Sequence, residues 1–311
     1  MKKLIIPILV LLLLTGYTPY VEVNDLVIVD MIGLEKVNDK YLLTVNTIKE
    51  EKTDNVTKSI YQVYTFEGNS LGSIFLKAKK INNKKAYYGH LKLVVFQSGL
   101  LDKEIINYFQ KQFTQMNYLI VGTNSYIKSL FKKYDSSSKI IKEINKKRID
   151  DANIYLSTFE DYLKDIVNKK RESTLPIISL DKNLTTTGLE VYKKNILIDA
   201  KQAKINYLLN NKLSSFHQEI TIDNKSYEVE FNNVKSMLVK DTVTISMDIS
   251  SSDIKNKDKE RLISPIKKLF KKEINEFLTY QKDNDIKTTL VDPNKKINIK
   301  IKIGENNYDQ E

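Results

Sequence analysis

The chain has 311 residues, of which 41% are hydrophobic and 29% charged, which suits about two folded domains. It contains no cysteine, and that excludes disulfides, thiol catalysis, thiolate metal sites and lipidation on sulfur. The formal net charge is +11, yet Arg148, Arg171 and Arg261 are the only arginines among 50 basic residues. Arginine is the preferred bidentate reader of phosphate and guanine, so the charge points to an anionic membrane surface or to lysine-rich base composition, and away from nucleic acid.

Lys2 and Lys3 precede an apolar run from Leu4 to Leu14 that only Pro7 interrupts, the pattern of an export signal. As a helix, these eleven residues reach about 16 Å against about 30 Å of hydrocarbon, so the run is too short for a good transmembrane span. Leu14-Thr15-Gly16 reads as the end of a bacterial lipoprotein signal, but Tyr17 stands where the lipid-accepting cysteine is expected. Leu14 also fails the small-residue requirement of general signal cleavage. Residues 1–16 are therefore an export signal, expected to be retained largely as a short, unlipidated membrane anchor.

Leu26 to Leu34 reads as a buried strand, Asn38-Asp39 as a turn tip, and "YLLTVNTI" as the returning strand of a hairpin. Ser59 to Phe66 alternates as a third strand. Asn69 or Ser70 can cap a helix running through Lys80, with Leu71, Ile74, Phe75 and Ala78 on one face. His90 to Phe96 is a strand. Asp102 opens a helix with Ile105, Ile106, Phe109 and Phe113 inward, and "NYLIVGT" is another strand. Ser125 to about Lys170 is helical and basic. Asp135 or a following serine starts one helix there and Ser157 another, whose stripe is Phe159, Tyr162, Leu163 and Ile166.

Pro176 forbids continuation of that helix and marks a boundary between a domain over residues 17–176 and a second over 177–311. The second half is richer in strands. "GLEVYKKNILID" is a hairpin turning at Lys194-Asn195, and "YEVEFNNVKSMLV" and "DTVTISMDIS" alternate with period two. Ser264-Pro265 is a helix start, with Ile266, Phe270, Ile274 and Phe277 on one apolar face. "KINIKIKI" is the last strand. The expected fold class is α+β: two or more mixed subdomains with predominantly antiparallel sheets and packed helices.

The chemistry is sparse. His90 and His217 are the two histidines, read as a strand-edge and a loop residue. No zinc-protease, nucleophile-elbow, dinucleotide or phosphate-loop motif occurs. Asp283 and Asp285 have the first spacing of a calcium loop without its later glycine and glutamate, and read as a turn ending a helix. No catalytic, cofactor-binding or metal-binding residue is nominated, and no cofactor is expected. The residues alone describe an exported binding or assembly protein of the cell envelope.

Several stretches, in order, resemble the Ger(x)C family, the C-subunit lipoproteins of spore nutrient germinant receptors. They are "VNDLVIVDMIGLEKVNDKYLLTVNTI", "FEGNSLGSIFLKAKKI", "YYGHLKLVVFQ", "TFEDYLKDI", "LPIISL", "GLEVYKKNILI" and "KKEINEFLTYQKDNDI". The third places His90 at a family position, which implies a structural role for it. The resemblance implies a non-enzymatic subunit at the outer face of the spore inner membrane, with the multi-pass A and B subunits as partners. The alternative from the residues alone is an extracytoplasmic ligand-binding or envelope protein unconnected to germination.

Overall fold

The structure, a computed structural model, describes residues 25–53, 56–168, 170–194, 196–222, 224–250, 256–292 and 294–303. The export signal of residues 1–16, Tyr17 and Asn195 lie outside these. The chain opens with β1 (Leu26–Val37) and β2 (Lys40–Thr53), paired antiparallel through Val37 and Lys40. Asn38 and Asp39 both take positive φ, 49° and 62°, which two-residue hairpins require and which these residue types tolerate. β3 (Val56–Gly68) extends the meander.

Next comes α1 (Leu71–Ala78), started by a reciprocal capping box between Ser70 and Ser73. The expected face of Leu71, Ile74, Phe75 and Ala78 is buried. The helix stops two residues short of Lys80, because Lys80–Ile81 pairs as β4 with β5 (Lys84–Tyr87). β6 (Leu93–Gln97) is preceded by a turn that holds His90, exposed and outside the strand expected for it. α2 (Lys103–Gln112) is capped by Asp102 Oδ1, which accepts from the Ile105 amide at 2.8 Å.

β7 (Leu119–Thr123) leads to α3 (Ile127–Lys133) and α4 (Ser137–Asp151). Neither N-cap residue, Tyr126 or Ser136, makes a side-chain cap. Two buried carboxylates of β1 do that work. Glu35 Oε1 accepts from the Ile127 amide at 3.0 Å. Asp30 accepts from the Ser137 amide at 2.7 Å and its hydroxyl at 2.8 Å. Burial raises the Glu35 pKa, and the Ile127 hydrogen bond opposes that shift.

After β8 (Ser157–Thr158), α5 (Phe159–Asn168) is capped by Thr158, whose hydroxyl accepts from the Asp161 amide at 3.1 Å. Ser157, the expected cap, is instead paired with Ile120 in β8. β9 (Thr174–Leu180), β10 (Leu184–Val191) and β11 (Ile196–Asp199) complete a large sheet in the order β11-β10-β9-β7-β6-β1-β2-β3. Pro176, the expected boundary, lies inside β9, and the sheet runs on beyond it to Asp199.

The α+β class stands, with one addition. β1, β6, β7 and β9 are mutually parallel at the centre of the large sheet, flanked by antiparallel arms. Helices cover both faces of this centre, which is why "LVVF" in β6 is fully buried. One face packs Val94, Phe96, Phe109 and Phe159 with α1, α2 and α5. The other packs Met31, Val95 and Val121 with α3 and α4.

α6 (Ala200–Leu209), capped by Asp199, buries every residue from Ala203 to Leu209 as it passes from the large sheet to the small one. The small sheet orders β12 (Phe216–Ile222), β13 (Lys225–Val239), β14 (Thr242–Ser250) and β15 (Lys296–Ile303). β14 and β15 are parallel, so they need a crossover, and α7 (Asn256–Asp283) supplies it. α7 begins well before Ser264-Pro265, and Pro265 sits inside it. Proline forfeits one amide bond there, but the buried face of Ile266, Phe270, Ile274 and Phe277, all at 0% exposure, holds the helix through that point.

Candidate functional site

The histidines and the acidic pair do not converge. His90 lies edge-on to Tyr87, with ring centroids 5.7 Å apart. His217 is in β12, not in a loop, with Nδ1 3.7 Å from Glu228 and Nε2 4.0 Å from Glu230. Asp283 ends α7, and Asp285 takes a φ of 50° in the turn after it. Among the described residues no group of three or more His, Asp or Glu side chains forms a metal site. On the germination role that the family resemblance implies, replacing either histidine with glutamine is expected to leave germination within a few-fold of normal. A thousandfold loss in a stably folded variant would mark a catalytic or metal role.

What converges is a cleft of about 750 Å³ at the end of α5, the start of β9, the β10–β11 turn and the loop after α7. Its apolar floor includes Ile166, Tyr192, Ile286 and Val291. Its rim includes Lys170, Lys193, Lys282 and Lys287, all exposed.

Three buried or half-buried side chains fix this shape. Arg171 places Nε and Nη2 on Asp165 Oδ1 at 3.0 and 2.6 Å, and Nη1 on Asn210 at 2.7 Å. Glu172 bonds the loop twice: its amide donates to the Lys287 carbonyl at 2.6 Å, and its carboxylate accepts from the Lys287 amide at 2.7 Å. Buried Gln281 accepts from the Thr288 amide at 2.8 Å and donates to Thr289 at 3.2 Å, so the loop is anchored to the helix before it.

Within the cleft Lys194 lies 3.1 Å from Glu172 and 3.3 Å from Asp285. The hydrogen bond to Glu172 raises its pKa and keeps it charged. The two carboxylates are thus engaged by Lys194, and the rim lysines set the sign of the surface. Such a cleft suits an anionic or acidic surface. The sequence reading did not identify it, because its residues come from four separated stretches. The only local signals were the basic run ending at Arg171 and the turn at Asp283 to Asp285.

A second charged contact lies away from the cleft, between α6 and α7. Lys204 Nζ is 3.1 Å from Glu273 Oε2, with both side chains almost wholly buried. Lys204 also donates to Gln218 at 3.0 Å and lies 5.5 Å from the Phe270 ring centroid. Glu273 Oε2 lacks the alignment of a hydrogen bond, so attraction of charge dominates that contact.

A family model described as the spore germination protein N-terminal domain matches residues 19–180. No curated protein matches the chain. The crystal structure of the GerBC protein is similar at 13% identity, covering 88% of this chain and 97% of that one, with a TM-score of 0.48. Because residues 19–180 make up more than half of the 311, the chain belongs to the spore germination protein family, as its Ger(x)C resemblance implies.

Proposed function

We propose that this chain is the C subunit of a spore nutrient germinant receptor. It acts without catalysis, through contacts with the A and B membrane subunits, at the outer face of the spore inner membrane. The family match over residues 19–180 carries this reading. The fixed cleft, rimmed by lysines, agrees with a binding role. Among the described residues no helix is long and apolar enough to cross a membrane.

The reading is tested by isolating the tagged chain from detergent-solubilised spore membranes. A and B subunits are expected to come with it in comparable amounts. Isolation of the chain without either subunit, under conditions that preserve an A–B complex, would count against the proposal.

A further inference from the structure

The β13–β14 hairpin ends in an unusual way. Met237, Leu238 and Val239 follow one another at its tip and are 62%, 41% and 59% exposed. Strand alternation sends Met237 and Val239 to one face and Leu238 to the other, so the tip is apolar on both sides. The turn beyond is Lys240-Asp241, with Lys240 exposed at a φ of 51°.

This tip adjoins the cleft. Asp241 lines a shallow pocket of about 470 Å³ that shares Lys282 and Asp292 with the cleft. Leu290, 47% exposed, lies in the loop that lines the cleft, and Val167, 76% exposed, follows the cleft residue Ile166. Asp241 is paired with Lys295, and Glu172 and Asp285 with Lys194. Asp292 is the remaining carboxylate of the cleft. Against it stand Lys170, Lys193, Lys240, Lys282 and Lys287, all exposed.

Strand register shows which end of the large sheet this is. Met31 pairs with Leu93, Leu93 with Leu119, and Gly122 with Ile177, so the parallel strands begin along one edge. β10 runs back against β9 with Val191 opposite Thr174, which puts the turn carrying Tyr192 and Lys193 at that edge. β1 begins there too, at Leu26. The chain therefore enters the fold at the edge that contributes to the cleft, and the segment before it contains the Leu4–Leu14 apolar run.

We propose that this end of the molecule, the β13–β14 tip with the lysine rim of the cleft, lies against an anionic lipid bilayer. The inference rests on the reading of the chain as a membrane-associated subunit. Apolar side chains beside exposed lysines match a surface whose headgroups are anionic and whose interior is apolar. Each lysine held near an anionic leaflet strengthens binding about fivefold. A short apolar segment entering at the same edge would keep the tip close to that surface.

The chain has no cysteine, so Val239→Cys gives one labelling site in the full-length protein. Val37→Cys, at the opposite end of β1 and 43% exposed, is the control. Each variant carries an environment-sensitive fluorophore. It is mixed with vesicles of phosphatidylcholine with phosphatidylglycerol, or of phosphatidylcholine alone, and lipid-borne quenchers report insertion. The Val239 probe is expected to be quenched on the anionic vesicles, several-fold less on the neutral ones, and the Val37 probe on neither. Combining Lys240→Glu with Lys282→Glu should weaken the Val239 signal at least about tenfold. A Val239 probe that stays in water on bound or unbound anionic vesicles, or is quenched equally on both compositions, overturns the proposal. Co-isolation with the A and B subunits would be unaffected by that result, so the two readings fail separately.

Discussion

Phe109→Ala is expected to destabilise the protein by about 4 kcal/mol, the range seen when a fully buried phenylalanine is truncated. Phe109 has 0% exposure and stands where four elements meet. Its ring centroid lies 5.1 Å from Phe96 of β6, 5.4 Å from Phe113, 5.8 Å from Phe75 of α1 and 6.2 Å from Phe159 of α5. Removing the ring sacrifices transfer energy and leaves a cavity bounded by a sheet and three helices, which cannot easily close around it. The tilted and edge-on ring contacts add to the loss. Chemical denaturation of wild type and variant measures the difference. A loss below about 1.5 kcal/mol would show that the cluster collapses around the gap. The exposed Val239→Ser change, by contrast, should stay within about 0.5 kcal/mol.

Glu273→Gln is expected to cost about 3 kcal/mol near neutral pH, because it strands the Lys204 ammonium in a buried site. The side chains of Lys204 and Glu273 are only 9% and 6% exposed, so water cannot replace the lost carboxylate. The effect should depend on pH in a definite direction. Burial lowers the Lys204 pKa below the ordinary lysine value, and Glu273 opposes that lowering. Between the lowered and the ordinary value the unfolded chain holds more protons than the folded one, so stability rises as pH rises through that window. Without Glu273 the folded pKa falls further and the window widens downward. The deficit of Glu273→Gln should therefore shrink as pH is raised from neutral toward the ordinary lysine value. A deficit that is constant or grows with pH would contradict the assignment. Replacing both partners with apolar residues of similar volume should be nearly neutral.

Much of this fold is legible locally. The Asn38-Asp39 turn, the caps at Ser70 and Asp102, and the apolar faces of α1, α2 and α7 are short-range features that physical chemistry fixes within a few residues. Period-two alternation likewise marks β13 and β14. The misses are long-range. Nothing within "LVVF" or "LIVGT" says that β6 and β7 pair in parallel with β1 and β9, since a doubly covered strand looks the same whatever its neighbours. α3 and α4 have no side-chain cap of their own, because Glu35 and Asp30, separated from them by 92 and 107 residues, accept their first amides. Pro265 suggested a helix start by local rule, and tertiary burial of the α7 face overrode it. α6 buries consecutive residues on all sides, so it carries no amphipathic signal. The cleft belongs with these misses: Lys170, Lys193, Lys282 and Lys287 look like ordinary solvated lysines until the topology gathers them.

The central claim is that this chain serves nutrient-triggered germination as a receptor subunit. The most direct measurement uses spores from which all germinant receptors have been removed. The A and B subunits of the proposed receptor are restored with or without this chain, at matched abundance, and germination is scored on nutrients and on a non-nutrient trigger. The predicted result is a nutrient response only when the chain is present, with the non-nutrient response unchanged in both strains. Equal nutrient responses with and without the chain would contradict the account.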